Sequence, residues 1–245
     1  MTYAPSMALP LPAATWPLHS WHSIAEGFYL GLVDLDDTTL AAATALLDRN
    51  ETERAARFRF QRDRSRYVAA HAALRMALSE LLDQPPESIE IRHGPHGKPA
   101  LAPEQGWAFN LSHSEGIAVI AAAPLNRVAA IGVDVECTRQ ISDWQVLARE
   151  HFSDTEYGAL VATSDIQRSP AFLRCWTRKE ACVKAIGSGL TIPVKGFSAG
   201  ILSDPVTISI DMEETVTNVA VETIFEHESC IISLAWCPVA RPSPI

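Results

Sequence analysis

Glu180 and Lys184, with Lys179 beside them, stand where a helix would ordinarily bury apolar side chains. They belong to the stretch Phe172-Leu-Arg-Cys-Trp176-Thr-Arg-Lys179-Glu180-Ala-Cys-Val-Lys184-Ala-Ile186-Gly187-Ser-Gly189-Leu190. At roughly 100° per residue, Phe172, Leu173, Trp176, Val183 and Ile186 form one arc of a helix, and the three charges fall inside it. The outer side, carrying Arg174, Arg178 and Ala181, is expected to face solvent. Stripping a charge of water is costly unless a partner compensates, so this pattern suits the floor of a cleft that holds a charged ligand or a metal. A surface Glu-Lys pair at i,i+4 followed by a glycine stop is the plain alternative.

A second set of candidates lies on a strand. In Ala130-Ile131-Gly132-Val133-Asp134-Val135-Glu136, alternation puts the aliphatic residues on one face and Gly132, Asp134 and Glu136 on the other. Two carboxylates about 4 to 7 Å apart repel by roughly 2 to 4 kcal/mol at an effective dielectric near 20, which invites a cation. Oxygen-only ligands point to Mg²⁺ or Mn²⁺ rather than zinc. A solvated strand face would carry such a pair as well, but Glu180 supplies a third carboxylate. Phe109-Asn110-Leu111-Ser112-His113-Ser114-Glu115-Gly116 ends a strand in hydroxyls and an imidazole at a glycine turn, an arrangement that offers donors to a phosphate. Ser112 and His113 point to opposite faces and no Gly-x-Ser-x-Gly elbow surrounds the serine, so nucleophilic hydrolase chemistry is not indicated.

Arginine is concentrated upstream. Eight of the twenty Lys and Arg residues lie between Arg49 and Arg75. Their forks suit phosphate oxygens, with Lys98 arriving from a neighbouring loop, although Glu51, Glu53 and Asp63 offer ordinary surface partners. The chain as a whole is acidic, with a formal charge of −9. That argues against a general nucleic-acid or anionic-membrane binder. No apolar run is long enough to span a bilayer, and the proline-rich first twenty residues lack the basic start of a signal peptide. Five cysteines without a C-x-x-C pair suit small core residues in a reducing cytoplasm.

The elements that must position these residues follow from periodicity. A strand is expected around Phe28–Asp34, a helix over Thr38–Leu47, and a long helix from Arg66 to Leu82 ended by Gln84-Pro85-Pro86. Ile89–Arg92 reads as a short strand, and His93–Pro99 as a glycine and proline loop. Three strands follow, at Phe109–His113, Ile117–Ala123 and Val128–Glu136. Asp143–Arg149 and the capping box Ser153-Asp-Thr-Glu156 open a helical region that includes Glu180. Residues 196–237 return to β-rich sequence with turns at Ser203-Asp-Pro205, Glu213-Glu214 and Glu226-His227. Arg66-Tyr67…His71…Arg75 and Cys175-Trp176…Glu180…Lys184 share spacing, a faint internal repeat.

Four ordered motifs, Gly97-Lys98-Pro99, Phe109–Ser114, Ile131–Glu136 and Trp176–Lys184 with Gly187–Leu190, resemble those of the 4′-phosphopantetheinyl transferase superfamily. The likeness is to its large single-chain class, which activates carrier domains of peptide and polyketide synthetases, and covers roughly residues 25 to 235. The resemblance implies an α+β, sandwich-like monomer: an arm (1–20), two similar α/β halves (21–128 and 129–238) related by a pseudo-twofold axis, and a tail (239–245). It implies transfer of 4′-phosphopantetheine from coenzyme A to a serine of an apo acyl or peptidyl carrier protein, with release of adenosine 3′,5′-bisphosphate. Asp134, Glu136 and Glu180 match the magnesium ligands, and Asp134 also lies at the coenzyme A site. Glu180, or a water on the metal, matches the base, and Lys184 the group on the diphosphate. Ser112 and His113 match residues near the nucleotide phosphates, with His113 among the catalytic set. Gly97-Lys98-Pro99, with His96 before them, match the adenine-side wall, and Arg66 an arginine on the 3′-phosphate. Some members carry two further basic residues upstream; here Arg54 stands at the second position and Glu51 at the first. A non-catalytic coenzyme A-binding relative is the alternative, against which the intact Asp134, Glu136, Glu180 and Lys184 speak.

Overall fold

Alternating apolar residues build two four-stranded antiparallel sheets, and two long helices cover their outer faces. The computed structural model describes residues 22–25, 27–36, 40–189, 192–212 and 215–239. The expected arm (1–20), most of the tail, the Glu213-Glu214 turn, Leu190 and the start of the Thr38–Leu47 helix lie outside the described residues.

In chain order the elements of the first half are β1 (His22–Ala25), β2 (Phe28–Asp34), α1 (Leu40–Thr44), α2 (Arg49–Ala55), α3 (Gln61–Leu82), β3 (Arg92–His93), β4 (Pro99–Ala100), β5 (Trp107–Ser114) and β6 (Ile117–Pro124). The second half contains β7 (Val128–Cys137), α4 (Trp144–His151), α5 (Asp154–Ala162), α6 (Asp165–Ile186), β8 (Val206–Met212), β9 (Thr215–Glu226) and β10 (Cys230–Pro238). The sheet orders are β1-β2-β6-β5 and β7-β10-β9-β8. In each sheet the strand that precedes the 22-residue helix pairs with the last strand that follows it, β2 with β6 and β7 with β10.

Three apolar layers hold the stack. Leu30, Val119 and Ala121 of one sheet meet Val133, Val135, Ile232 and Leu234 of the other. Leu74 and Leu78 of α3 cover Val33, Phe109 and Ile120, each full burial of such a leucine contributing roughly 1.5 to 3 kcal/mol. Ala181 and Ala185 of α6 lie on Val221 and Ala235.

Several expectations are corrected. The long helix starts at Gln61, not Arg66, and Ile89 is a buried core residue outside any strand, leaving only Arg92–His93 to pair with β4. Helix α2 follows from a capping box in which Asp48 accepts from Glu51 N–H and Glu51 accepts from Asp48 N–H. The expected solvent face of α6 is buried: Arg178 and Ala181 are both 0% exposed. The reason is that residues 199–204 cross that face, so the Arg178 guanidinium donates to the carbonyls of Ala199, Ser203 and Asp204 at 2.7, 3.2 and 2.9 Å. Arg174 is half-buried and pairs with Glu226.

Candidate active site

The seam between the two sheets is where the candidate residues gather. Strand β5 runs beside β7, and every second residue of β5 bonds across the gap. Asn110 Oδ1 accepts from Val133 N–H at 2.9 Å, and Ser114 Oγ accepts from Cys137 N–H at 3.2 Å. Between them, Ser112 Oγ donates to Asp134 Oδ1 at 2.8 Å. Side chains thus substitute for a backbone ladder, and they fix which β7 residues face β5.

Helix α6 completes the group because Gly132 lets it lie on the strand. A Cβ at Gly132 would sit 2.2 Å from Ala181 O and 2.3 Å from Ala185 N, so no other residue fits beneath the helix backbone. One turn on, Lys184 Nζ donates to Asp134 Oδ1 at 2.6 Å and to Ser112 Oγ at 2.7 Å. Asp134 is 5% exposed, and its Oδ2 has no hydrogen-bond partner among the described residues. Burial pushes its carboxyl up to about 6, with Glu180 adding to the rise and Lys184 and Ser112 opposing it. Such a buried carboxylate oxygen, lacking a donor, is suited to a hard cation.

Glu180 lines a cleft of about 630 Å³ together with Lys184, Val183, the loop residues His96, Gly97, Lys98 and Pro99, and Glu150 and His151 of α4. That volume lies within the range of small-molecule sites. Glu136 Oε2 accepts from Ser114 Oγ at 3.1 Å and from Arg139 Nη1 at 2.8 Å. Among the described residues no three of His, Cys, Asp and Glu converge into a ready-made metal cage. The donor chemistry of Asp134, Glu136 and Glu180 is that of Mg²⁺, and the unpartnered Asp134 Oδ2 fits such an ion.

The remaining predicted residues are placed differently. The Lys98 ammonium donates to Ile131 O at 3.0 Å and Ala185 O at 2.8 Å, capping the carbonyl end of α6, and burial lowers its pKa to about 8. Gly187, in the left-handed region at φ +80°, leaves room for that chain, since a Cβ there would lie 2.9 Å from Lys98 Cδ. His113 is exposed on the face opposite Ser112; crowding by the surrounding chain lowers its pKa, as do the charges of Lys184, His71 and Arg66. Arg66 makes a two-pronged pair with Asp36, at 2.9 and 2.8 Å, outside the cleft lining. Arg54 is exposed, with its guanidinium 5.5 Å from the Tyr67 ring centroid.

Two buried charges from the arginine-rich segment and the α6 arc are structural. Arg75 is 0% exposed and is held by Glu51 and Asp48 at 2.5 Å each, and by the carbonyls of Pro86 and Ile89. Glu51, at the position where a basic residue stands in some similar chains, is thus a clamp; it also meets His71 Nδ1 at 3.0 Å. Lys179 pairs with Glu156 at 2.9 Å and donates to Val194 O and Phe197 O. Glu156 also accepts from the Ala199 and Gly200 N–H groups; burial raises its pKa, but Lys179 and the N–H groups of Ser153 and Gly200 bring it below the usual value. This network anchors the loop that walls the cleft at Val194 and Lys195. Sequence reading missed Glu150 and His151, whose only signal is their position in the last turn of α4.

Residues 36–125 match the family model described as 4′-phosphopantetheinyl transferase, N-terminal, and residues 130–224 match that of the 4′-phosphopantetheinyl transferase superfamily. The 4′-phosphopantetheinyl transferase HetI of Nostoc sp. is 37% identical over 172 residues, covering 68% of this chain and 71% of HetI. The 4′-phosphopantetheinyl transferase Sfp of Bacillus subtilis is 30% identical over 66% of this chain and 70% of its own. The 4′-phosphopantetheinyl transferase AcpT of Escherichia coli is 41% identical over a shorter match, 51% of this chain and 58% of AcpT.

Proposed function

The chain belongs to the 4′-phosphopantetheinyl transferase superfamily, and from that premise we propose that it moves 4′-phosphopantetheine from coenzyme A onto a serine of an apo acyl or peptidyl carrier protein, with Mg²⁺. The observation that carries this reading is the cluster of Lys184, Ser112 and Asp134 beside a cleft into which Glu180 projects. In this reading the serine oxygen attacks the phosphorus that bears pantetheine, and the bond from that phosphorus to the bridging oxygen breaks. Adenosine 3′,5′-bisphosphate leaves.

The roles divide by position. Glu180, with its carboxylate at the cleft, accepts the proton of the carrier serine. Lys184 stands at the cleft with its ammonium already oriented by Asp134 and Ser112, and it stabilises negative charge on the diphosphate as the bridging bond opens. Asp134, Glu136 and Glu180 would hold the Mg²⁺, which when bound neutralises diphosphate oxygens. His113 and Arg66 serve the nucleotide phosphates, and His96, Gly97, Lys98 and Pro99 the adenine. The Lys98 ammonium is already engaged by two carbonyls, so its part there is to form wall rather than to supply charge. The enzyme works as a monomer in the cytoplasm.

The test is intact-protein mass spectrometry of an apo carrier domain incubated with this protein, coenzyme A and Mg²⁺, beside a chelator control. A phosphopantetheine-sized gain that disappears with chelator is expected. Glu180→Gln keeps the side-chain shape and is expected to lower turnover by orders of magnitude while the protein stays folded. Normal turnover in that variant, or no gain with a panel of peptidyl and acyl carriers while coenzyme A still binds, would overturn the proposal.

A further inference from the structure

The antiparallel register of β7 and β10 sets Cys137 directly opposite Cys230. Next along the ladder, Thr138 N–H donates to Ser229 O at 3.0 Å, so that pair is the hydrogen-bonded one and the cysteine pair is the non-hydrogen-bonded one. The backbone groups of the cysteines agree. Cys137 N–H points away, to Ser114 Oγ of β5, and Cys230 O accepts from His227 N–H on its far side at 3.0 Å. At a non-hydrogen-bonded pair the Cα atoms are about 4.5 Å apart and the side chains stand on the same face. That separation lies at the short end of the range, roughly 4.4 to 6.8 Å, that a disulfide spans. Both side chains are on the face of Val135 and Ile232, two residues before one and two after the other, and Cys230 is in the core between the sheets.

All five cysteines are free thiols, and four are buried; Cys137 alone is half-buried and open to a reagent. We propose that Cys137 and Cys230 form a reversible cross-strand disulfide when the protein meets a small-molecule disulfide such as oxidised glutathione. Cys137 loses its proton and attacks one glutathione sulfur, forming a mixed disulfide and expelling one glutathione thiolate. Cys230 then loses its proton and attacks the Cys137 sulfur, forming the cross-link and expelling the second glutathione. The two protein thiols give up two electrons and two protons, and the oxidant becomes two molecules of glutathione. Cys137 is the accessible partner and Cys230 is buried, so the reaction starts at Cys137. Bridging removes the weak hydrogen bond that the Cys137 thiol donates to Ser114 O at 3.4 Å.

The full chain, treated with oxidised glutathione, alkylated and digested, is expected to yield a peptide linking Cys137 to Cys230. The melting temperature should rise by several degrees, because the bridge closes a long loop of the unfolded chain, and dithiothreitol should reverse both changes. Cys137→Ser, which leaves the core untouched, should melt as the reduced wild type does and show neither effect. A bridge between Cys182 and Cys237 instead, a glutathione adduct that persists on Cys137, or no change in mass would overturn the proposal.

Discussion

Replacing Asp134 by asparagine separates the energetic cost of the site from its chemistry. The carboxyl is 5% exposed and its pKa is pushed from 3.8 up to about 6, so holding it ionised at neutral pH costs the folded chain about 3 kcal/mol relative to the unfolded one. The folded state binds this proton more tightly than the unfolded one. Its contribution to stability is therefore fully present below about pH 4, is lost as pH rises through about 6, and stays lost above. Asp134→Asn keeps the volume and lacks this titration. Urea unfolding of metal-free protein should show wild type and variant nearly equal near pH 4, with the variant more stable by about 3 kcal/mol at pH 7 and no further divergence above it. Adding Mg²⁺ should narrow the gap by stabilising the wild type alone. Transferase turnover of the variant should fall by orders of magnitude. A difference independent of pH between 4 and 7, or a variant less stable than wild type at pH 7, would refute the account of Asp134 as a strained, cation-ready carboxylate.

Gly132→Ala drives a methyl group into the α6 backbone and is expected to cost more than about 4 kcal/mol, seen as insoluble protein or a collapsed thermal transition; an unchanged melting temperature would refute the close approach. Glu51→Ala leaves Arg75 in the core with Asp48 as its remaining carboxylate, a destabilisation of roughly 3 to 5 kcal/mol measurable by chemical denaturation. Arg54→Ala should leave the KM for coenzyme A unchanged, whereas Arg66→Gln should raise it; an equal rise in both would place the exposed guanidinium of Arg54 on the nucleotide.

Much of the fold was legible because its signals are local. The alternation in β5, β6 and β7 and the capping box at Ser153 each depend on residues within a few positions of one another. The inward position of Lys179, Glu180 and Lys184 was legible for the same reason, since it needs only the helical period. What sequence reading missed depends on distant chain. Arg178 looked solvent-facing because nothing within its own turn shows that residues 199–204 will cover it. Arg75 resembled its surface neighbours until Asp48, Glu51 and the carbonyls near Pro86 closed around it. Lys98, read as a phosphate contact, spends its charge on carbonyls of β7 and α6 that are brought to it only by the folding of the second half.

The seam between β5 and β7 has a mechanical consequence. An ordinary backbone ladder can re-form its hydrogen bonds after a slip, since each backbone group has an equivalent neighbour further along. Here the joint is written in Asn110, Ser112 and Ser114, whose partners are individual groups at Val133, Asp134 and Cys137. A slip of the halves by one residue would place no hydroxyl opposite Asp134 and would carry Ser112 away from Lys184. The joint thus behaves as a key in a lock bolt: it permits one alignment of the two halves, and that alignment is the one in which the polar cluster beside the cleft exists.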